Sequence, residues 1–400
     1  MNLSVVDACF PLRRQSYGLA ALWIRWHSVR RGARVVPSAD ADVICATCVD
    51  PRQWTVIKSL RNAYPGKRIV AGGAGALSPY SLGLWADAVC VGNGERFLNT
   101  LISDGYDAAS ALPESWVDGE TRSVEVASGF PWRCPPIQSE DGAYRVWCGR
   151  GCKRKCTFCH TGWGVQYEEN PDPRHLMRSI GRLQKDGKRV AYLSNDPNQH
   201  SFADQLPPVD SGSYTFDTIK KGYIPSARQV RIGVEGVSEH LRKTVGKPIG
   251  HDDLVKSAAW LNSKGKSVRW FMIAGLPGES SDDWDELRAA VMDWKRICSK
   301  GVLALSFTAW LPEPSTPLGI APVDDAYWPR YEAFREWFFS GVGWSNRVKL
   351  MNPCAPASRM KSAVARMGLS ESELRKGGSW GPNDRVFYPH KKARNKKAKT

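Results

Sequence analysis

From residue 3 to residue 310 the sequence alternates short apolar runs rich in β-branched residues with longer amphipathic ones. That alternation restricts the chain to largely parallel sheets layered with helices. "LSVVDACF" (3–10) reads as a strand and "YGLAALWIRWHSVRRG" (17–32) as a helix ended by Gly32. Strands "ARVVP", "ADVICATC" and "KRIVAGGAG" follow, with helix "RQWTVIKSLRNAYPG" before the third. "ADAVCVGNGERFLNTLISDG" then adds a short strand, a Gly turn and a helix. Residues 1–135 are therefore expected to form a doubly wound α/β domain.

The Pro-rich, polar stretch "PWRCPPIQSE" (131–140) reads as a linker. A second series begins with strands "YRVWC" (144–148), "KRVAYLS" (188–194) and "QVRIGVEG" (229–236), and continues with "SVRWFMIAG" (267–275) and "VLALSFTAW" (302–310). Helical patterns such as 252–265 and 282–301 lie between them, and the repeat predicts a full or partial βα barrel over 141–320. Residues 321–390 are expected to be helical and aromatic, and 391–400 ("KKARNKKAKT") a disordered basic tail. No apolar run reaches the length of a membrane span and no signal-peptide layout opens the chain, so a soluble, cytoplasmic protein is expected.

In a reducing compartment the eleven cysteines are not expected to form a disulfide framework, and the tight group Cys152, Cys156, Cys159 points to metal or catalysis. A disulfide would leave one of the three unpaired. A structural zinc needs a fourth ligand, for which Cys148 or His160 is at hand. The surrounding "CKRKC" is too polar for a core strand. The remaining reading is a [4Fe–4S] cluster on three thiolates, its fourth iron open.

Cys-x3-Cys-x2-Cys with Phe158 before the last cysteine resembles the signature of radical S-adenosylmethionine (SAM) enzymes. The "RGC" lead-in resembles that of subfamilies with an N-terminal Rossmann-like domain. "RIGVEGVSEHLRKTVGKP" (231–248), "FMIAGLPGES" (271–280) and "LPEPSTPLG" (311–319) are similar to that superfamily's fourth-, fifth- and sixth-strand segments. The resemblance implies a partial (β/α)6 barrel after the Rossmann-like domain. Cys152, Cys156 and Cys159 would ligate the cluster and Phe158 would lie near the adenine. Ser194 and Asn195, with Asp196 beyond, stand where the family binds the SAM amino group. Glu235 would meet the ribose or methionine part, and Gly275 to Glu279 would shape the adenine pocket. The chemistry implied is reductive cleavage of SAM to a 5′-deoxyadenosyl radical, with electrons from a donor such as flavodoxin or ferredoxin.

"AGGAGALSPYSLGLWADAVCVGNGERFL" (71–98) resembles cobalamin-binding-type relatives, which have a "GxGE" turn where this chain has Gly92 to Glu95. Their Asp-x-His-x-x-Gly motif is missing, since "VDACFPLRRQ" stands in its place. Some relatives manage without it, so cobalamin is a possible cofactor but not the favoured one. Cys9 and "ADVICATCVDPRQ" look like two cysteine segments of the methylthiotransferases, but Gly72 and Gly73 stand at the third. Cys45, Cys48 and Cys90 then read as small buried residues.

The net charge of +16 and the basic tail suggest a polyanionic partner, with DNA favoured and tRNA possible. "WIRWHSVRRGAR" (23–34) could stack bases, or Trp23 and Trp26 could pack inward. The resemblance extends most specifically to phage isomerases that rearrange a glycine adduct on thymidine in DNA from nitrogen-linked to carbon-linked. The alternatives are a cobalamin-dependent radical SAM methyltransferase and a tRNA methylthiotransferase-like enzyme.

Overall fold

The computed structural model describes residues 1–8, 19–117, 120–121, 130–139, 142–194, 196–207, 214–225, 227–313, 316–319, 321, 326–341 and 347–351. The first half runs β1 (Asn2–Asp7), α1 (Leu19–Arg30), β2 (Arg34–Val35), β3 (Val43–Thr47), α2 (Trp54–Ala63), β4 (Arg68–Gly72), α3 (Tyr80–Gly83) and β5 (Ala88–Cys90). It continues with α4 (Glu95–Asp104), α5 (Tyr106–Ser110), β6 (Ser115–Val117) and β7 (Glu120–Thr121). These strands form one sheet in the order β2-β1-β3-β4-β5-β6-β7, parallel through β5 and antiparallel at the β6–β7 edge.

Every residue of β3 is buried because the sheet carries a core on each face. Ile44, Ala46, Ile69, Ala71 and Val89 pack with Trp54, Ile57 and Leu82 of α2 and α3. Val43, Cys45, Val70 and Cys90 point the other way, onto Trp23 of α1 and Phe97, Leu98 and Leu101 of α4. Trp23 is thus buried and Trp26 packs against the same cluster, the inward of the two orientations. Cys45, Cys48 and Cys90 are buried as expected, and burial pushes the Cys45 thiol up to about 12.

The second half begins with β8 (Ile137–Gln138), inside the expected linker, then β9 (Tyr144–Trp147), β10 (Gly149–Arg150), α6 (His160–Trp163), β11 (Glu168–Glu169), α7 (Pro173–Lys185) and β12 (Val190–Leu193). After α8 (Phe216–Lys220) come β13 (Gln229–Glu235), α9 (Glu239–Thr244), α10 (His251–Ser263), β14 (Ser267–Ala274), α11 (Ser281–Ile297), β15 (Leu303–Ala309), α12 (Tyr327–Phe339) and β16 (Val348–Met351). β9 and β12 pair in parallel, with β8 antiparallel at the edge. β13 to β16 form a second, all-parallel sheet. Between the two, Tyr214 is bridged in parallel to Ile232 of β13.

The expected helical C-terminal region holds α12, and β16, which the sequence did not announce, follows it and extends the sheet beside β15. The expected tail, 391–400, lies outside the described residues.

Candidate active site

β10 and β11 pair antiparallel, Gly149 with Glu169 and Arg150 with Glu168, and so close the base of a loop that carries all three cysteines. Gly151 opens the loop at φ 65°. A Cβ there would lie 2.5 Å from the Gln166 carbonyl oxygen, so the close return of the loop requires glycine. The Cys159 N–H and the Trp163 indole N–H both donate to the Cys156 carbonyl, at 3.1 and 2.9 Å. Thr157 donates to Val245 and accepts from Leu318, which ties the loop to the end of α9 and to the exit of the sixth strand. Phe158 packs on the core beneath β13–β15.

Cys156 is buried while Cys152 and Cys159 are half-buried. Burial pushes the Cys152 and Cys156 thiols up, and the neighbouring sulfurs add to this, whereas the Lys247 ammonium pulls both down. The three sulfurs therefore share one electrostatic neighbourhood with a cation beside it, and three cysteines on one loop are the ligand set of an iron–sulfur cluster with one iron left open. Among the described residues no three His, Cys, Asp or Glu side chains are gathered as ligands of one metal ion. A four-iron cluster is wider than one ion and takes each thiolate on a different iron. The zinc alternative also loses Cys148, which is fully buried among Leu176, Ile180 and Phe202.

Glu235 faces the cysteine loop from the end of β13. Its Oε1 accepts from Lys247 Nζ at 2.6 Å, and Lys247 also donates to the Gly233 carbonyl at 3.1 Å. Glu235 has φ 71°, where the β13–β14 register shifts between Gly233 and Glu235. Ser194, at the end of β12, shares a hydrogen bond of 2.8 Å with His200 Nε2. Asn195 lies outside the described residues. Asp196 is consumed locally: fully buried, it accepts from Asn198 N, Thr215 N, Thr215 Oγ1 and Thr218 Oγ1. Glu279 is likewise turned inward, accepting from the Gly275 N–H at 2.7 Å, the Trp284 indole at 2.9 Å and Arg330 Nε at 3.3 Å. It holds the Gly275–Glu279 turn closed and presents no free carboxylate. Burial pushes its pKa up, against the pull of those donors.

Two groupings were not legible in the sequence. The first is a polar chain from Ser194 through His200 Nδ1 to the Tyr167 hydroxyl (2.8 Å) and on to Glu169 (2.7 Å). Lys153, next to Cys152, pairs with Glu169 at 3.3 Å. The second joins the "GxGE" turn to the "RGC" lead-in. Arg150 pairs with Glu95 at 2.9 Å, donates to Asn93 Oδ1 at 2.6 Å and lies 4.6 Å over the Phe130 ring.

That junction borders a cavity of about 310 Å³. Cys45, Ala46, Gly72, Gly73 and Cys90 line it from the carboxyl ends of β3, β4 and β5, and Trp23 from α1. Arg150, His160, Thr161 and Val165 of the cysteine-bearing segment close the other side. The site sits where open α/β sheets take ligands, beside the reversal of strand order between β1 and β3. Gly72, Gly92 and Gly94 bring no side chains into it, and its buried Trp23 Nε1 and Glu95 Oε2 have no hydrogen-bond partner.

No protein-family model matches the chain. An uncharacterised protein of Methanocaldococcus jannaschii, MJ0966, is 22% identical over 294 residues, which cover 67% of this chain and 65% of that protein. Among solved structures, the radical SAM methyltransferase TsrM from Kitasatospora setae, with cobalamin and a [4Fe–4S] cluster bound, matches with a TM-score of 0.56. The identity is 15%, over 80% of this chain and 74% of that one. OxsB, a cobalamin-dependent SAM radical enzyme with aqua-cobalamin and SAM bound, gives 0.57 at 13% identity, over 85% of this chain and 55% of that one. The chain therefore has the fold of cobalamin-dependent radical SAM enzymes.

Proposed function

We propose that the chain is a radical SAM enzyme that also holds cobalamin, and that it transfers a methyl group. The observation that carries this reading is the glycine-floored cavity at the carboxyl ends of β3–β5, closed by the cysteine-bearing segment. Its unpartnered Glu95 carboxylate oxygen and Trp23 N–H suit the amide groups that rim a corrin. Cys152, Cys156 and Cys159 would hold the cluster, and Glu235, Ser194 and the Gly275–Glu279 turn would surround SAM. The cluster supplies electrons and cobalamin a methyl carrier. The chain's own part is to fix the loop, keep Lys247 against Glu235, and shelter the cavity from water.

The preference for methyl transfer over isomerisation of a thymidine adduct rests on the cavity and on the fold it shares with TsrM and OxsB. A nucleic-acid substrate is supported by the charge of +16 alone, since Trp23 and Trp26 do not form an outward stacking face.

The test is anaerobic reconstitution with iron and sulfide, followed by hydroxocobalamin titration read by visible absorption. One cobalamin per chain is expected, lost in Ala74→Trp, which places a ring at an exposed rim position of the cavity. Addition of SAM and reductant should then give S-adenosylhomocysteine. Absence of cobalamin binding, together with 5′-deoxyadenosine and an isobaric nucleoside shift on adducted DNA, would overturn the proposal in favour of the isomerase.

A further inference from the structure

The inner face of the second sheet carries a row of cations. On β13, Val230, Ile232 and Val234 point into the core under the helices, so Arg231, Gly233 and Glu235 face the other way. A Cβ on Gly233 would meet Glu235 Oε1 and Lys247 Nζ, which places this face towards the cysteine loop. Arg231 pairs in register with Arg269, Arg269 with Ala304, and Ala304 with Lys349. Three cations therefore share one level of the sheet, with only an alanine among them. Arg231 stands four residues before Glu235, about 13 Å down the strand at about 3.3 Å per residue.

Among the described residues no carboxylate pairs with any of the three. Arg269 donates to Ser306 Oγ at 3.0 Å and lies 4.9 Å from the Phe271 ring, while its Nε is buried without a partner. Burial and the adjacent Arg231 charge both push the Arg269 pKa down. Like charges directly opposite on neighbouring strands repel. A guanidinium fork with an unused N–H is the group that receives a carboxylate or phosphate.

We propose that Arg231, Arg269 and Lys349 bind an oxyanion of the substrate, a carboxylate or a phosphate ester, on the inner face of the barrel. This deepens the radical SAM reading by giving the substrate an acidic group, but the anion site itself needs neither cluster nor cobalamin.

The experiment follows the side-chain Nε–H resonance of Arg269 in the full-length chain. Inorganic phosphate or succinate is titrated against chloride at equal, low ionic strength, with and without reconstituted cluster. The Arg269 resonance should move with at least one probe, and the affinity should fall about tenfold in Arg231→Gln and in Lys349→Gln. Both substituted positions are exposed. A response to phosphate alone assigns a phosphate ester, one to succinate alone a carboxylate, and either supports the row. No response to either probe, or an unchanged one in the Arg231→Gln, Lys349→Gln double variant, overturns it. Anion binding by a chain that never loads a cluster would leave the row standing while removing the proposed function. A loaded cluster without any anion response would do the reverse.

Discussion

Glu235 is the only described non-glycine residue with positive φ, at 71°. Left-handed backbone strains a residue with a Cβ, and such strain persists where the surroundings hold it. Here Lys247 supplies the hold, 2.6 Å from Oε1. Glu235→Ala keeps the strain but removes the tie and leaves the Lys247 ammonium without its carboxylate, so it should lower stability by about 1–3 kcal/mol. Glu235→Gly removes both and should be more stable than the alanine variant by about 1 kcal/mol. Urea unfolding of the two variants decides the matter: an alanine variant equal to or above the glycine variant would mean the residue is not strained. The sequence made Glu235 a candidate through the resemblance of residues 231–248 to a fourth-strand segment. Its strain was invisible there, because it comes from a register shift against β14.

At the scale of elements, periodicity located the long pieces well. "YWPRYEAFREWFF" is α12 to the residue, and the alternating β and α segments of the first half do build one largely parallel sheet with helices on both faces. The misses were short. β16 has four residues, two of them exposed, too few for an alternating pattern to register. Tyr214 joins the barrel through a single bridge to Ile232, too short a feature for periodicity to mark. His200 was missed for another reason: it stands on no regular element, and its partners Ser194, Tyr167 and Glu169 come from separate segments. Burial holds its pKa below the ordinary 6.5. Above about pH 7 the imidazole is neutral in both folded and unfolded chains and adds no pH dependence. As pH falls below 6.5 the unfolded chain takes up the proton first, so stability is lost until the folded-state pKa is passed. His200→Gln should flatten the urea-midpoint profile between about pH 7 and 5, with a residual slope from His27, which burial also holds low. A slope as steep as that of the parent chain would show that His200 is not held neutral.

For the whole molecule, the decisive contact joins parts of the chain that the sequence presented as separate motifs. Glu95 begins α4 of the first sheet and Arg150 leads into the cysteine loop. Their side chains are 5% and 16% exposed and 2.9 Å apart. Nothing in spacing or composition could pair residues so far apart along the chain, although each lay within a motif already singled out. Removing one partner leaves the other charged group buried without its counter-ion, which costs far more than removing both. Arg150→Met keeps the length of the side chain over Phe130 and should cost about 3–5 kcal/mol. Glu95→Gln should cost a similar amount, with Arg150 keeping its bond to Asn93. The double variant should fall short of the sum by at least about 1 kcal/mol. Because Arg150 is separated from Cys152 only by Gly151, the single variants should also retain less iron per chain after reconstitution, and the double variant should recover part of it. Additive costs, or iron content indifferent to Arg150, would mean that the first sheet and the cysteine loop merely touch and that occupation of the cavity cannot be felt at the cysteines through this pair.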